Sequence, residues 1–209
     1  MIKNLIFDLG GVIITLDPQE AVRRFQRLGL KDAQQRLDAY TQSSYFGSLE
    51  QGDITEEKFR QQLSADVGRQ LTWEECQYAW LGYRKEVPLR NLQLLRRLRK
   101  SGYRLILLSN TNGFMQAWAE SSQFSEEQLP LRSYFDSEYK SYEVKLMKPD
   151  KRLFELVLSK ENIRPDDTLF VDDGPANVAI AASLGLHTLC PKNGEDWTHK
   201  LLMLLGEEE

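Results

Sequence analysis

Four short apolar runs in this sequence each stop on charged or hydroxyl-bearing residues. They read Leu5-Ile6-Phe7-Asp8-Leu9-Gly10-Gly11-Val12, Ile106-Leu107-Leu108-Ser109-Asn110-Thr111, Met147-Lys148-Pro149-Asp150 and Leu169-Phe170-Val171-Asp172-Asp173. Runs this apolar suit strands covered on both faces, as in a parallel sheet. In an open parallel sheet the strand carboxyl ends line one crevice, so residues far apart in sequence gather there. A single fold can therefore bring together an aspartate, a hydroxyl with its neighbouring amides, a lysine and an acidic pair.

The spacing predicts strands over residues 5–8, 104–109, 168–172 and 187–190, with helices between them. Residues 89–100 repeat Leu at helical intervals opposite Arg and Lys and stop at Ser101-Gly102. Residues 150–160 present Leu153, Phe154, Leu156 and Val157 on one side, 175–184 run from Pro175 to Gly185, and 195–205 read as a last helix. Alternation of this kind is the α/β signature. Residues 18–85 differ: 18–28, 33–41, 55–65 and 72–84 are amphipathic or aromatic-rich, with no intervening strand. Thr55 caps its helix without a full capping box, whereas Thr72 with Glu75 supplies one. The expected division is a Rossmann-like core of 1–16 and 87–209 and an inserted all-helical cap of 17–86, hinged near 15–17 and 86–89. Tyr40, Tyr45, Phe46, Phe59, Trp73, Tyr78, Trp80 and Tyr83 are expected mostly as the core of that cap.

Asp8 ends an Ile-Phe run where the chain leaves the sheet, and Gly10-Gly11 let the backbone approach a ligand closely. Its carboxylate can attack phosphorus, splitting one displacement into two steps. Alone, it reads equally well as a turn cap. Ser109, Asn110 and Thr111 offer a hydroxyl and backbone N–H groups for phosphoryl oxygens, although the same tripeptide is ordinary turn chemistry. Lys148 supplies a positive charge against a phosphate dianion, with Lys145 as a competitor. Asp172 and Asp173 repel each other unless a cation lies near, for which Mg²⁺ with oxygen ligands is the natural partner. The bland reading of that pair is a helix cap before Pro175, with Asn177 supporting the loop. His187 and His199 fall outside these segments and read as structural or surface residues.

A net charge of −4 gives no general attraction to nucleic acid or anionic membrane. No stretch approaches a transmembrane span, and the residues before the first run are too few for a signal peptide. Cys76 and Cys190 lack metal-ligand spacing and are expected as buried, reduced thiols in a cytoplasmic protein.

In order and spacing, Asp8, Ser109, Lys148 and Asp172-Asp173 resemble the four motifs of the haloacid dehalogenase superfamily of hydrolases. The resemblance spans most of the chain. It implies a Rossmann-like core, a helical cap inserted after the first motif, and Mg²⁺-dependent hydrolysis of a small phosphate ester. It also implies Asp8 as nucleophile, with Lys148, Ser109 and Asn110 around the phosphoryl group. The metal would be held by Asp8, the backbone carbonyl of Gly10, Asp172 and Asp173. The nearest flavour is that of sugar-phosphate phosphatases with an Asp-Leu-Gly first motif. Gly10 departs from the common phosphatase pattern, in which a second Asp serves as acid and base. Three outcomes follow: a phosphatase helped by another group, such as Asp17 or a cap residue; a slow or inactive phosphate-binding protein; or a metal-independent 2-haloacid dehalogenase.

Overall fold

The computed structural model describes residues 1–37 and 44–207. Its main sheet has five parallel strands, β1 (Asn4–Phe7), β4 (Arg104–Ser109), β5 (Ser137–Lys140), β6 (Thr168–Val171) and β7 (His187–Leu189), in the order β5-β4-β1-β6-β7. The chain builds outward from β1 to β4 and β5, then returns to place β6 on the other side of β1. This reversal is a topological switch point, where parallel sheets open a crevice. In register Phe7 is level with Leu107 and Val171, so Asp8 and Asp172 leave the sheet side by side.

Alternation along the strands sends side chains to two buried faces. Leu5, Phe7, Leu105, Leu107, Leu169 and Val171 share one core with Leu92, Leu95 and Leu98 of α6 (Leu89–Lys100) and with Leu201 of α11 (Thr198–Leu205). Ile6, Ile106, Leu108 and Phe170 pack on the other face against Leu153, Phe154 and Val157 of α9 (Lys151–Glu161) and Ala181 of α10 (Pro175–Ser183). The expected α/β class and Rossmann-like core are therefore observed. Among the described residues no helix is long and apolar enough to cross a membrane.

Between β1 and α6 lie α1 (Pro18–Leu28), α2 (Ala33–Arg36), α3 (Tyr45–Gln51), α4 (Glu56–Val67) and α5 (Trp73–Trp80). Thr55 accepts the Lys58 N–H, and Thr72 with Glu75 forms the expected capping box. Phe25, Phe46, Phe59 and Trp80 form an aromatic core, with Phe25 and Phe46 edge-to-face at 5.1 Å. Phe114 and Met115 of α7 (Gly113–Ala119) join this cluster, so the helices rest on the sheet layer through apolar contact. Tyr45 and Tyr83 are buried with them, whereas Trp73 and Tyr78 are exposed. Tyr40 and the end of the expected 33–41 helix lie outside the described residues.

Several expectations need correction. The stretch 18–85, read as free of strands, ends in one: β3 (Arg84–Glu86) pairs antiparallel with β2 (Thr15–Leu16), Thr15 with Glu86, at the two crossings expected as hinges. Met147-Lys148 does not end a strand; it lies in the loop between α8 (Ser141–Val144) and α9. Strand β5 was not foreseen because Ser-Glu-Tyr-Lys lacks an apolar run, as suits a sheet edge that discourages further pairing. Cys76 is buried but Cys190 is exposed, because it follows β7 at the sheet edge.

Candidate active site

Asp8, Lys148, Asp172 and Asp173 meet at the switch point. The Lys148 Nζ lies 2.8 Å from Asp8 Oδ1 and 2.6 Å from Asp172 Oδ2, with its side chain only 1% exposed. Backbone pins it: the Asn110 amide donates to the Lys148 carbonyl and accepts the Lys148 N–H, both at 2.9 Å. Lys145, the competing lysine, sits at a left-handed C-cap and presents its carbonyl to Gln51.

Asp8 follows directly from β1, and its N–H donates to the Val171 carbonyl. Its Oδ1 accepts from the Leu9 N–H at 2.7 Å as well as from Lys148, which leaves Oδ2 without a donor among the described residues. Asp172 is fully enclosed; Oδ1 takes the Gly174 N–H and the Asn177 amide, and Oδ2 takes Lys148. Asp173 receives no side-chain donor among the described residues and lines the cavity. The three carboxylates each offer an oxygen within 4.8 Å of the others.

Electrostatics follow from that crowding. Burial, and then the Asp172 and Asp173 charges, raise Asp8 to about 8 against the pull of Lys148. Burial and Asp172 raise Asp173 to about 6. Burial opposes the Lys148 charge, but Asp172 and Asp8 outweigh it and hold the ammonium above its ordinary range. A metal-free site of this kind holds more negative charge than one lysine balances.

Gly11 adopts φ +75°, and a Cβ there would stand 2.1 Å from Asp173 Oδ2. Gly11→Ala is expected to destabilise the fold by at least about 1 kcal/mol through its left-handed backbone. It also displaces the Asp173 carboxylate; urea unfolding with and without Mg²⁺ checks both effects. Gly10 has ordinary backbone geometry, and its nearest obstacle to a Cβ is Leu16 Cδ1 at 3.1 Å.

The crevice opens into a cavity of about 660 Å³. Asp8, Gly10, Ser109, Asn110, Lys148 and Asp173 line its sheet side, and Ser44, Ser48, Glu50 and Gln51 come from α3 and its N-terminal edge. Ser109 is buried at the end of β4, facing this space. The helices are held down over it by polar contacts. Ser141 Oγ donates to the Glu50 carbonyl at 2.6 Å and accepts the Thr111 N–H at 2.9 Å. Glu56 accepts the Gly113 N–H, and Gln51 donates to the Lys145 carbonyl. Gly52 approaches the Tyr142 backbone so closely that a Cβ would lie 2.2 Å from its carbonyl oxygen.

Asp17 does not join the site. It caps α1, accepting the Glu20 N–H at 3.0 Å, and pairs loosely with Arg23. His187 contacts the Asp166 carbonyl on the surface, and neither histidine lines the cavity. Sequence reading missed Glu50 and Ser141. A signal for Glu50 exists: with Phe46 and Leu49 it falls on the i, i+3, i+4 stripe of α3 that is otherwise apolar.

A sequence profile of the haloacid dehalogenase-like hydrolases matches residues 2–185. A D-ribitol-5-phosphate phosphatase of Bacteroides thetaiotaomicron is 46% identical over 206 residues, covering 99% of this chain and 100% of that protein. Among solved structures, a HAD-like family hydrolase from Porphyromonas gingivalis superposes with a TM-score of 0.94 at 41% identity, covering 100% of both chains. A HAD family enzyme from Bacteroides thetaiotaomicron, crystallised with magnesium and inorganic phosphate, superposes with a TM-score of 0.88. It is 34% identical, over 96% of this chain and 99% of that one.

Proposed function

This chain belongs to the haloacid dehalogenase-like hydrolase family, and on that premise we propose that it is a Mg²⁺-dependent phosphatase for a small phosphorylated sugar or polyol. The observation that carries this reading is the meeting of Asp8, Lys148 and the 172–173 pair beneath one cavity of about 660 Å³. That volume lies in the range of small-ligand sites. The 46%-identical relative is a phosphatase of a polyol phosphate, D-ribitol 5-phosphate, which supports the substrate class.

Asp8 is the nucleophile: Oδ1 is held by the Leu9 N–H and Lys148, so Oδ2 is the oxygen left to bond phosphorus and form an aspartyl-phosphate. Lys148 and Ser109 hold oxygens of the phosphoryl group, and Asn110 fixes the Lys148 backbone from the same loop. Asp8, Asp173 and the Gly10 carbonyl, with Asp172 beside them, are the Mg²⁺ ligands. The donor set fits, since it is all oxygen, clustered and short of positive charge. When bound, Mg²⁺ supplies positive charge toward the transferring phosphoryl oxygens. Residues 17–86 form a cap that excludes water and selects the substrate.

Phosphate release from a panel of sugar and polyol phosphates tests this directly. Release with Mg²⁺ that stops on adding a chelator is the expected outcome. A protein that binds inorganic phosphate but releases none from any ester would be a binding protein instead.

Metal binding must also depend on pH. Carboxylates bind the ion only when ionised, so binding displaces protons from acids raised to about 6 and about 8. Mg²⁺ affinity is therefore expected to rise by at least about tenfold from pH 5.5 to pH 8, with proton release on binding. Calorimetry in buffers of different ionisation enthalpy reads both, and a pH-independent affinity contradicts this ligand set.

A further inference from the structure

Hydrolysis through Asp8 requires a proton for the leaving alkoxide and a base for the water that follows. Gly10, in the loop that follows β1, supplies neither. In an in-line displacement the leaving oxygen points away from the nucleophile. With Asp8 on the sheet side of the cavity, that oxygen faces the helices.

The helical wall carries two carboxylic acids among the described residues, Glu50 and Asp53. Asp53 is exposed to solvent. Glu50 is only 9% exposed and has no hydrogen bond or ion pair to its carboxyl among the described residues. A buried acid lining the cavity with no partner among the described residues calls for a reason. Its backbone is not free to drift. The Ser141 hydroxyl joins the Glu50 carbonyl to the Thr111 N–H, two residues from Ser109. One residue later, Gln51 is tied to the Lys145 carbonyl.

Resting on the Asp8 reading above, we propose that Glu50 is the general acid and then the general base of this hydrolase, standing in from the cap for the carboxylate that Gly10 lacks. In the first step Asp8 Oδ2 bonds to phosphorus as the ester P–O bond breaks. The Glu50 carboxyl proton passes to the departing oxygen, and a neutral alcohol leaves. In the second step the Glu50 carboxylate takes a proton from water, whose oxygen bonds to phosphorus. The P–Oδ2 bond breaks, which releases inorganic phosphate, the Asp8 carboxylate and a reprotonated Glu50. Burial alone raises the Glu50 carboxyl to about 8, so it carries its proton at neutral pH and is matched to both tasks.

Leaving-group dependence with pre-steady-state kinetics separates this role from mere packing. Glu50→Gln keeps the shape of the protonated acid, and unchanged urea unfolding and Mg²⁺ affinity confirm its fold. With a polyol phosphate, whose alkoxide needs a proton, kcat is expected to fall about 10²–10⁴-fold. With p-nitrophenyl phosphate the first step needs no acid but the second still needs the base. The variant should then release one equivalent of nitrophenolate at a near wild-type rate and turn over slowly afterwards. Equal slowing of both esters without a burst, or no change in either, overturns the proposal. So does the same burst signature in Asp53→Asn, which would move the role to Asp53. Asp8→Asn, run alongside, keeps the two readings apart: if it still turns over, the nucleophile assignment fails, whatever Glu50→Gln does.

Discussion

Asp8→Asn should lower turnover of phosphate esters by at least about 10⁴-fold, since an amide cannot form the aspartyl-phosphate and nucleophile removal has effects of this order. Its fold should survive. In metal-free protein burial favours the neutral form of Asp8, to which Asn is close in shape. Lys148 keeps its second partner, Asp172, at 2.6 Å. The melting temperature without metal should then stay within a few degrees of wild type. The rise that Mg²⁺ gives wild type by binding the native state should shrink, because one ligand is gone. Single-turnover phosphate release and thermal melts with and without Mg²⁺ measure both. A variant with wild-type turnover would remove Asp8 from the chemistry.

Lys148→Met has the largest expected effect on stability. The lysine side chain is 1% exposed and bridges Asp8 and Asp172, themselves 14% and 0% exposed. Breaking a buried pair by removing one partner costs about 3–5 kcal/mol, since charge is left uncompensated. The sign with pH follows. Without the ammonium, the folded-state pKa of Asp8, already raised by burial to about 8, rises further. A raised acid favours the folded state only while protonated, so the penalty grows as pH climbs toward and past that value and is relieved on acidification. The deficit against wild type should therefore be larger at pH 8 than at pH 5. Urea midpoints at the two pH values test this; an equal loss at both would place the defect in packing. Activity should fall as well, because the phosphoryl group loses its fixed cation.

What was legible in the sequence had a local signature. Asp8, Ser109 and Asp172-Asp173 were readable because apolar runs fix strand ends, and strand ends converge in a parallel sheet. Thr72 with Glu75 was readable because its cap closes within one helical turn. Other features had no such mark. The Ser-Glu-Tyr-Lys strand is an edge, half paired and polar, so burial wrote no hydrophobic run into it. Strand β3 went unseen because its pairing, Thr15 with Glu86, depends on where the helices return the chain. The contacts that hold the helices over the cavity run to the carbonyls of Glu50 and Lys145 and past the backbone of Tyr142. Carbonyls carry no side-chain identity, so a sequence alone does not announce them. Glu50 stayed hidden for a related reason: what marks it is a buried carboxyl with no partner among the described residues.

Strand β1 also shapes how the molecule comes into being. It is the middle ribbon of the sheet, with Asn4 level with Arg104 on one side and Thr168 on the other. A ribosome makes it long before either neighbour exists. Closing such distant pairs is slow, and the apolar strand must wait unpaired in the nascent chain. Asp8 cannot be flanked on both sides until β6 has emerged, so on the proposed reading catalytic competence should come only after that strand is made.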